Sequence, residues 1–115
     1  MISPGVRVHL AVEPVDLRKS IDGLEALVRL KLASDPLSGH VFVFHNRSKT
    51  SVKLLFWDTG GYVLVYKRLE RGRFRMPAGE GERVLMTHAE LAALLEGIDL
   101  SRARRLPRWN PAILA

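Results

Sequence analysis

The chain has 115 residues, no cysteine, and 18 Lys and Arg against 12 Asp and Glu, for a formal net charge of +6. That length suits one domain whose core needs no staples, and 47% hydrophobic with 26% charged residues excludes wholesale disorder. The absence of cysteine excludes a disulfide scaffold, thiolate zinc sites and cysteine nucleophiles.

Val6-Arg7-Val8-His9-Leu10 alternates apolar and polar residues, the period of a half-buried strand, and Pro14 ends it. Asp16 is a candidate N-cap for a helix running to about Leu32, because Leu17, Ile21, Leu24 and Val28 form one apolar stripe. Gly23 weakens that helix by roughly 1 kcal/mol relative to Ala. Glu25 and Arg29 pair on its exposed face. Ser34 to Gly39 reads as a loop. Val41-Phe42-Val43-Phe44 is continuously apolar, as in a strand covered on both faces. Asn46-Arg47-Ser48 turns the chain into a strand over Lys53 to Trp57. Asp58-Thr59-Gly60-Gly61 is a hairpin signal, and Tyr62 to Arg68 returns as the partner strand. Arg71 to Gly79 is irregular, with two Gly and one Pro in nine residues. Arg83-Val84-Leu85-Met86 is a short strand. Thr87 and Glu90 form a capping box, and Leu91, Leu94, Leu95 and Ile98 follow at helical spacing up to Gly97. The expected architecture is α+β: an antiparallel sheet of about five strands, with two helices packed on one face. Residues 1–100 form the domain, and 101–115 form a basic tail containing Arg and Pro.

The net charge is not spread evenly. Residues 45–75 hold Arg47, Lys49, Lys53, Lys67, Arg68, Arg71, Arg73 and Arg75 against Asp58 and Glu70, which accounts for the full +6. Arg102, Arg104, Arg105 and Arg108 form a second cluster in the tail. Clustered positive charge is the footprint of a polyanion partner, or of a solvated basic face with no ligand. Phe56, Trp57, Tyr62, Tyr66 and Phe74 interleave with these cations. Exposed aromatics stack on bases, and buried ones pack a sheet. Arg71, Arg73 and Arg75 alternate through Gly72 and Phe74, so an extended segment turns all three guanidiniums one way and Phe74 the other. The competing reading is three ion pairs with Glu70, Glu80 and Glu82.

Signals for catalysis are poor. None of the four His stands at metal-ligand spacing, and Asp16, Asp22, Asp35, Asp58 and Asp99 each have a local role as cap, helix-surface, loop, turn or helix-end residue. The glycine pairs lack the Lys-Ser/Thr of a phosphate loop, and no serine sits in a nucleophile elbow. No cofactor or metal is expected. No apolar run nears the roughly 18 residues of a membrane span. Met1 to Gly5 shows no signal-peptide pattern, so the expectation is a cytoplasmic protein with no membrane contact.

Asp16-Leu17-Arg18-Lys19, Ser38 to Phe44, Lys53 to Asp58 with Gly61, Tyr66 to Phe74 and Leu94 to Asp99 occur in this order. This series resembles the short TnpB accessory protein of insertion-sequence-66-type transposable elements, over about residues 6–100 with a similar Arg/Trp/Pro tail. Met76 stands where that family favours Trp, and Val65 where it favours an aromatic. The resemblance implies a bacterial mobile-element protein that works with a separate, larger transposase, and it implies no catalytic residue.

Three functions then compete. The first is a non-catalytic accessory that binds DNA through the 45–75 cations, aided by Arg102, Arg104 and Arg105. The second is a module that docks on the transposase without touching DNA. The third and weakest is a metal-dependent nuclease using Asp58 and His45.

Overall fold

The computed structural model describes residues 5–101, so Arg102, Arg104, Arg105 and Arg108 lie outside the described residues. The elements run β1 (Val8–Ala11), α1 (Ile21–Leu30), β2 (Val41–His45), β3 (Ser51–Asp58), β4 (Gly61–Arg68), β5 (Arg83–Met86) and α2 (His88–Leu95). The five strands form one sheet in the order β4-β3-β2-β1-β5.

The meander expected over the central strands is present. Phe42 pairs with Leu55 across β2 and β3, and β3 pairs with β4 from Ser51 opposite Arg68 to Asp58 opposite Gly61, all antiparallel. Thr59 and Gly60 form the two-residue loop, both at positive φ, as the twist of a tight hairpin requires. The sheet as a whole is mixed, which corrects the antiparallel expectation. β1 runs parallel to β2, with Val8 opposite Val41, and antiparallel to β5, with Val8 opposite Met86. The physical reason is the connection: α1 lies between β1 and β2, and a helical crossover returns the chain in the same direction. β1 is also a central strand, and all four of its residues are buried rather than alternating.

The helices lie on opposite faces, not on one. Val41 and Val43 join Val52, Leu54, Phe56, Phe74, Met76, Leu91 and Leu94 in one core. Phe42 and Phe44 join Leu24, Val28, Leu32 and Leu55 in another. Successive side chains of a strand point to opposite faces, so α1 covers one side and α2 the other. Leu17 and Ile21 pack on the α1 core with Leu24 and Val28, as the stripe requires.

Asp16 does not cap α1. Its carboxylate accepts the backbone N–H of Arg18 at 2.9 Å, closing a local turn, an alternative to the helix that Asp side chains favour. The helix starts after Ser20, which makes no side-chain cap bond. In α2 the capping box is complete: Glu90 N–H donates to Thr87 Oγ1 at 3.0 Å, and Thr87 N–H donates to Glu90 Oε1 at 2.9 Å. Gly97, at φ +87, ends the helix, with Gly97 N–H on Leu94 O and Ile98 N–H on Ala93 O. This is the paired bonding of a Schellman motif. Met76 and Val65 both pack in the α2-side core, so the two departures from the family pattern are packing changes.

Candidate nucleic-acid interface

Polar bonding within the turn after β2 shapes one corner of the sheet. Asn46 Oδ1 accepts the backbone N–H groups of Thr50 at 2.9 Å and Ser51 at 3.1 Å, and Asn46 Nδ2 donates to Thr50 Oγ1 at 3.0 Å. Lys49 takes a left-handed conformation there, at φ +59. The segment leaving β4 is tied back to this turn by two backbone bonds. Leu69 N–H donates to Thr50 O at 2.8 Å, and Phe74 N–H donates to Lys49 O at 2.7 Å. Two stretches about twenty residues apart in sequence thus share one corner, with Arg47 and Lys49 on one and Arg68, Arg71, Arg73 and Arg75 on the other.

Phe74 and Met76 are buried in the α2-side core, and Arg73 and Arg75 are exposed between and before them. The alternation expected of an extended segment therefore holds from Arg73 onward. Gly72, at φ +81, bends the chain before it, so Arg71 is exposed across a bend and not in line with the other two. The competing ion pairs of Arg71, Arg73 and Arg75 with Glu70, Glu80 and Glu82 do not form. Glu70 is taken by Arg68 at 2.9 Å, and Glu82 faces Lys31 at 4.0 Å. Among the described residues, Arg47, Lys49, Arg71, Arg73 and Arg75 make no ion pair.

Lys53 and Lys67 differ from the rest. Lys53 projects on the α1 side, donates to the carbonyl of Lys19 at 3.0 Å and lies 5.4 Å from the centre of the Tyr66 ring. Lys67 projects on the other side and donates to the carbonyl of Leu95. Lys67 ties the end of α2 to the sheet, Lys53 ties down the segment before α1, and the two are not brought together.

Phe56 is core, and Trp57 meets Tyr62 edge to face at 5.1 Å. Tyr66 is the exposed aromatic of the set, and its hydroxyl lies 3.3 Å from Ser51 Oγ.

Sequence reasoning left Arg18 off the basic surface. It lines an open concavity of about 360 Å³ with Pro14, Val15, Asp16 and Arg47. An adjoining hollow of about 320 Å³ adds Asn46, Ser51 and Tyr66. The Arg18 guanidinium bonds both Asp16 carboxylate oxygens, at 3.0 and 2.9 Å. Those side-chain bonds, then the Arg18 backbone N–H, hold the Asp16 carboxyl down at about 2. The run Asp16-Leu17-Arg18-Lys19 was the available signal, but reading it as a helix start hid its place beside Arg47.

His45 and Asp58 are not brought together. His45 pairs with Val52, and Asp58 stands six residues further along β3, about 20 Å at the rise of a strand. His45 is buried, with Nε2 3.0 Å from Ala11 O. Among the described residues no group of three His, Asp or Glu could hold a metal ion. No helix among them is long and apolar enough to cross a membrane.

A protein-family model described as IS66 Orf2 like protein matches residues 6–105. Two proteins of Sinorhizobium fredii (strain NBRC 101917 / NGR234) are similar along nearly their whole length. The one named uncharacterized protein y4jC is 36% identical over 117 residues, covering all of both chains. The one named uncharacterized protein y4hO is 38% identical over 106 residues, 92% of this chain and 90% of its own. No solved structure matches.

Proposed function

Because the chain belongs to the IS66 Orf2-like family of transposition accessory proteins, we propose that it is a non-catalytic partner of the element's transposase that holds DNA by its phosphates. The observation that carries this reading is the corner formed by the Leu69–Thr50 and Phe74–Lys49 backbone bonds. It gathers Arg47, Lys49, Arg71, Arg73 and Arg75, all exposed and without acidic partners among the described residues. Arg68 adds a sixth cation that shares its charge with Glu70. Guanidinium forks suit phosphate oxygens, and contacts of this kind position a protein on DNA without reading its sequence. Arg102, Arg104 and Arg105 would add to the same electrostatic attraction.

The test is fluorescence anisotropy of the purified protein on labelled duplex DNA across a salt series. Neutralising about six phosphates gives a slope of log K against log salt near −5. Absence of binding at low salt, or a flat slope, overturns DNA contact. Salt-sensitive binding to the transposase in its place would assign the corner to an acidic protein surface.

A further inference from the structure

The two edges of the sheet are built differently. β5 is four residues long, while β4 is eight residues in unbroken register with β3. Natural sheets blunt a long edge with proline, a bulge or charged side chains, and β4 carries charge only at its end, in Lys67 and Arg68. β4 has no proline and no bulge, and its residues from Gly61 to Tyr66 carry no charge.

The hairpin fixes which backbone groups are left over. Asp58 and Gly61 close the two-residue loop, so they exchange hydrogen bonds, and bonded pairs then recur at every second residue. Gly61, Val63, Val65 and Lys67 therefore bond β3, and Tyr62, Leu64, Tyr66 and Arg68 turn their N–H and C=O groups outward. Among the described residues, none of these four takes part in a backbone bond outside the strand ladders, and β4 ends the strand order.

We propose that this edge is a dimer interface, in which β4 of one copy pairs antiparallel with β4 of a second copy about a two-fold axis at Val65. The edge is complementary to itself, which selects a second copy as the occupant, and its charges select the direction. In this register Tyr62 stands opposite Arg68 of the second copy and Leu64 opposite Tyr66, with about eight backbone hydrogen bonds across the junction. Along the seam the two Lys67 then lie about 14 Å apart and the two Arg68 about 20 Å apart, each end turned toward the hairpin that carries Asp58 of the other copy. Parallel pairing would align Lys67 and Arg68 with their own copies, a repulsion between directly opposed like charges, and it lacks the closed symmetry of a two-fold pair. Val63 and Val65 line the α2-side face of the junction, and Tyr62, Leu64 and Tyr66 line the α1-side face.

Sedimentation equilibrium of the full chain, combined with amide hydrogen exchange at two protein concentrations, tests the pairing. The expected result is a species of twice the chain mass that dissociates on dilution. The amides of Tyr62, Leu64 and Tyr66 should be protected when concentrated and lose protection when dilute. Tyr66→Pro removes one outward N–H without touching the β3 ladder, at a side chain that is 53% exposed. Tyr66→Lys leaves the backbone intact and adds two cations near the axis. Each should weaken dimerisation at least about tenfold, from two lost hydrogen bonds or from like-charge repulsion. Circular dichroism checks that the variants fold; should Tyr66→Pro unfold, Tyr66→Lys and the exchange data decide. A monomer at every concentration, or a dimer unaffected by Tyr66→Lys, overturns the proposal. So does protection that persists in a species of single-chain mass, which would assign the edge to the chain's own residues 102–115. Protection that arises only on adding transposase also overturns it, since a strand of that protein would then be the occupant.

Discussion

Phe74 and Lys49 are joined by a 2.7 Å backbone bond, and their side chains part company there: Phe74 enters the core and Lys49 faces solvent. The corner is thus held by main chain and one aromatic anchor, so its cations are free of structural duty.

It follows that Arg71, Arg73 and Arg75 can be replaced together by Ala, with Phe74 retained, at little cost to folding. The denaturation midpoint should stay close to wild type, while DNA affinity is lost at moderate salt. Any residual slope of log K against log salt should be shallower by about 3. Wild-type binding by the triple variant would reduce the segment to a solvated turn.

Lys53 and Lys67 should behave in the opposite way. Each donates to a helix-end or loop carbonyl, so Lys53→Ala and Lys67→Ala should each destabilise the fold by about 0.5–1.5 kcal/mol. Their effect on the salt slope should be smaller than that of Arg73→Ala. Urea unfolding and anisotropy on the same preparations separate the two classes.

Thr87→Ala removes the oxygen that accepts the Glu90 N–H at the start of α2. Stability should fall by about 1 kcal/mol with DNA binding unchanged, as read by the urea midpoint and the binding curve.

His9 makes the protein acid-sensitive. Burial first, and then the charges of Arg83, His40 and Arg7, lower its pKa from 6.5 to about 4; its ring stacks on Phe42 at 5.2 Å. Between pH 6.5 and 4 the unfolded chain therefore holds more protons than the folded one, and stability is lost as pH falls through that window. The contribution is complete above 6.5 and gone below 4. His9→Gln should flatten this part of the stability profile, measured as the urea midpoint at successive pH values.

Local patterns were legible in the sequence and the layering was not. The capping box at Thr87 and the hairpin at Asp58 depend on neighbours a few residues away, and both form as read. β1 was misread because His9 counted as an outward polar residue, whereas it is buried against Phe42. The continuous run Val41 to Phe44 demanded cover on both faces, and that demand already conflicted with placing both helices on one. The helix between the first two strands likewise called for a parallel pair. At the candidate interface, counting charges located the 45–75 stretch. It could not separate Lys53 and Lys67, which bond main-chain carbonyls of a loop and of a helix end, from the arginines that face water, because that depends on which side of a strand each residue occupies.

The pairing of β1 with β5 has a consequence for the order of assembly. Val8 meets Met86, so the first strand to be synthesised waits for the last strand before its outer edge is covered. The β2-β3-β4 meander closes through short loops and can form early. A nascent or truncated chain that stops short of Arg83 presents β1 as an open edge beside β2, apolar on both faces. Such intermediates are prone to aggregate, so completion of the C-terminal third protects the N-terminal strand.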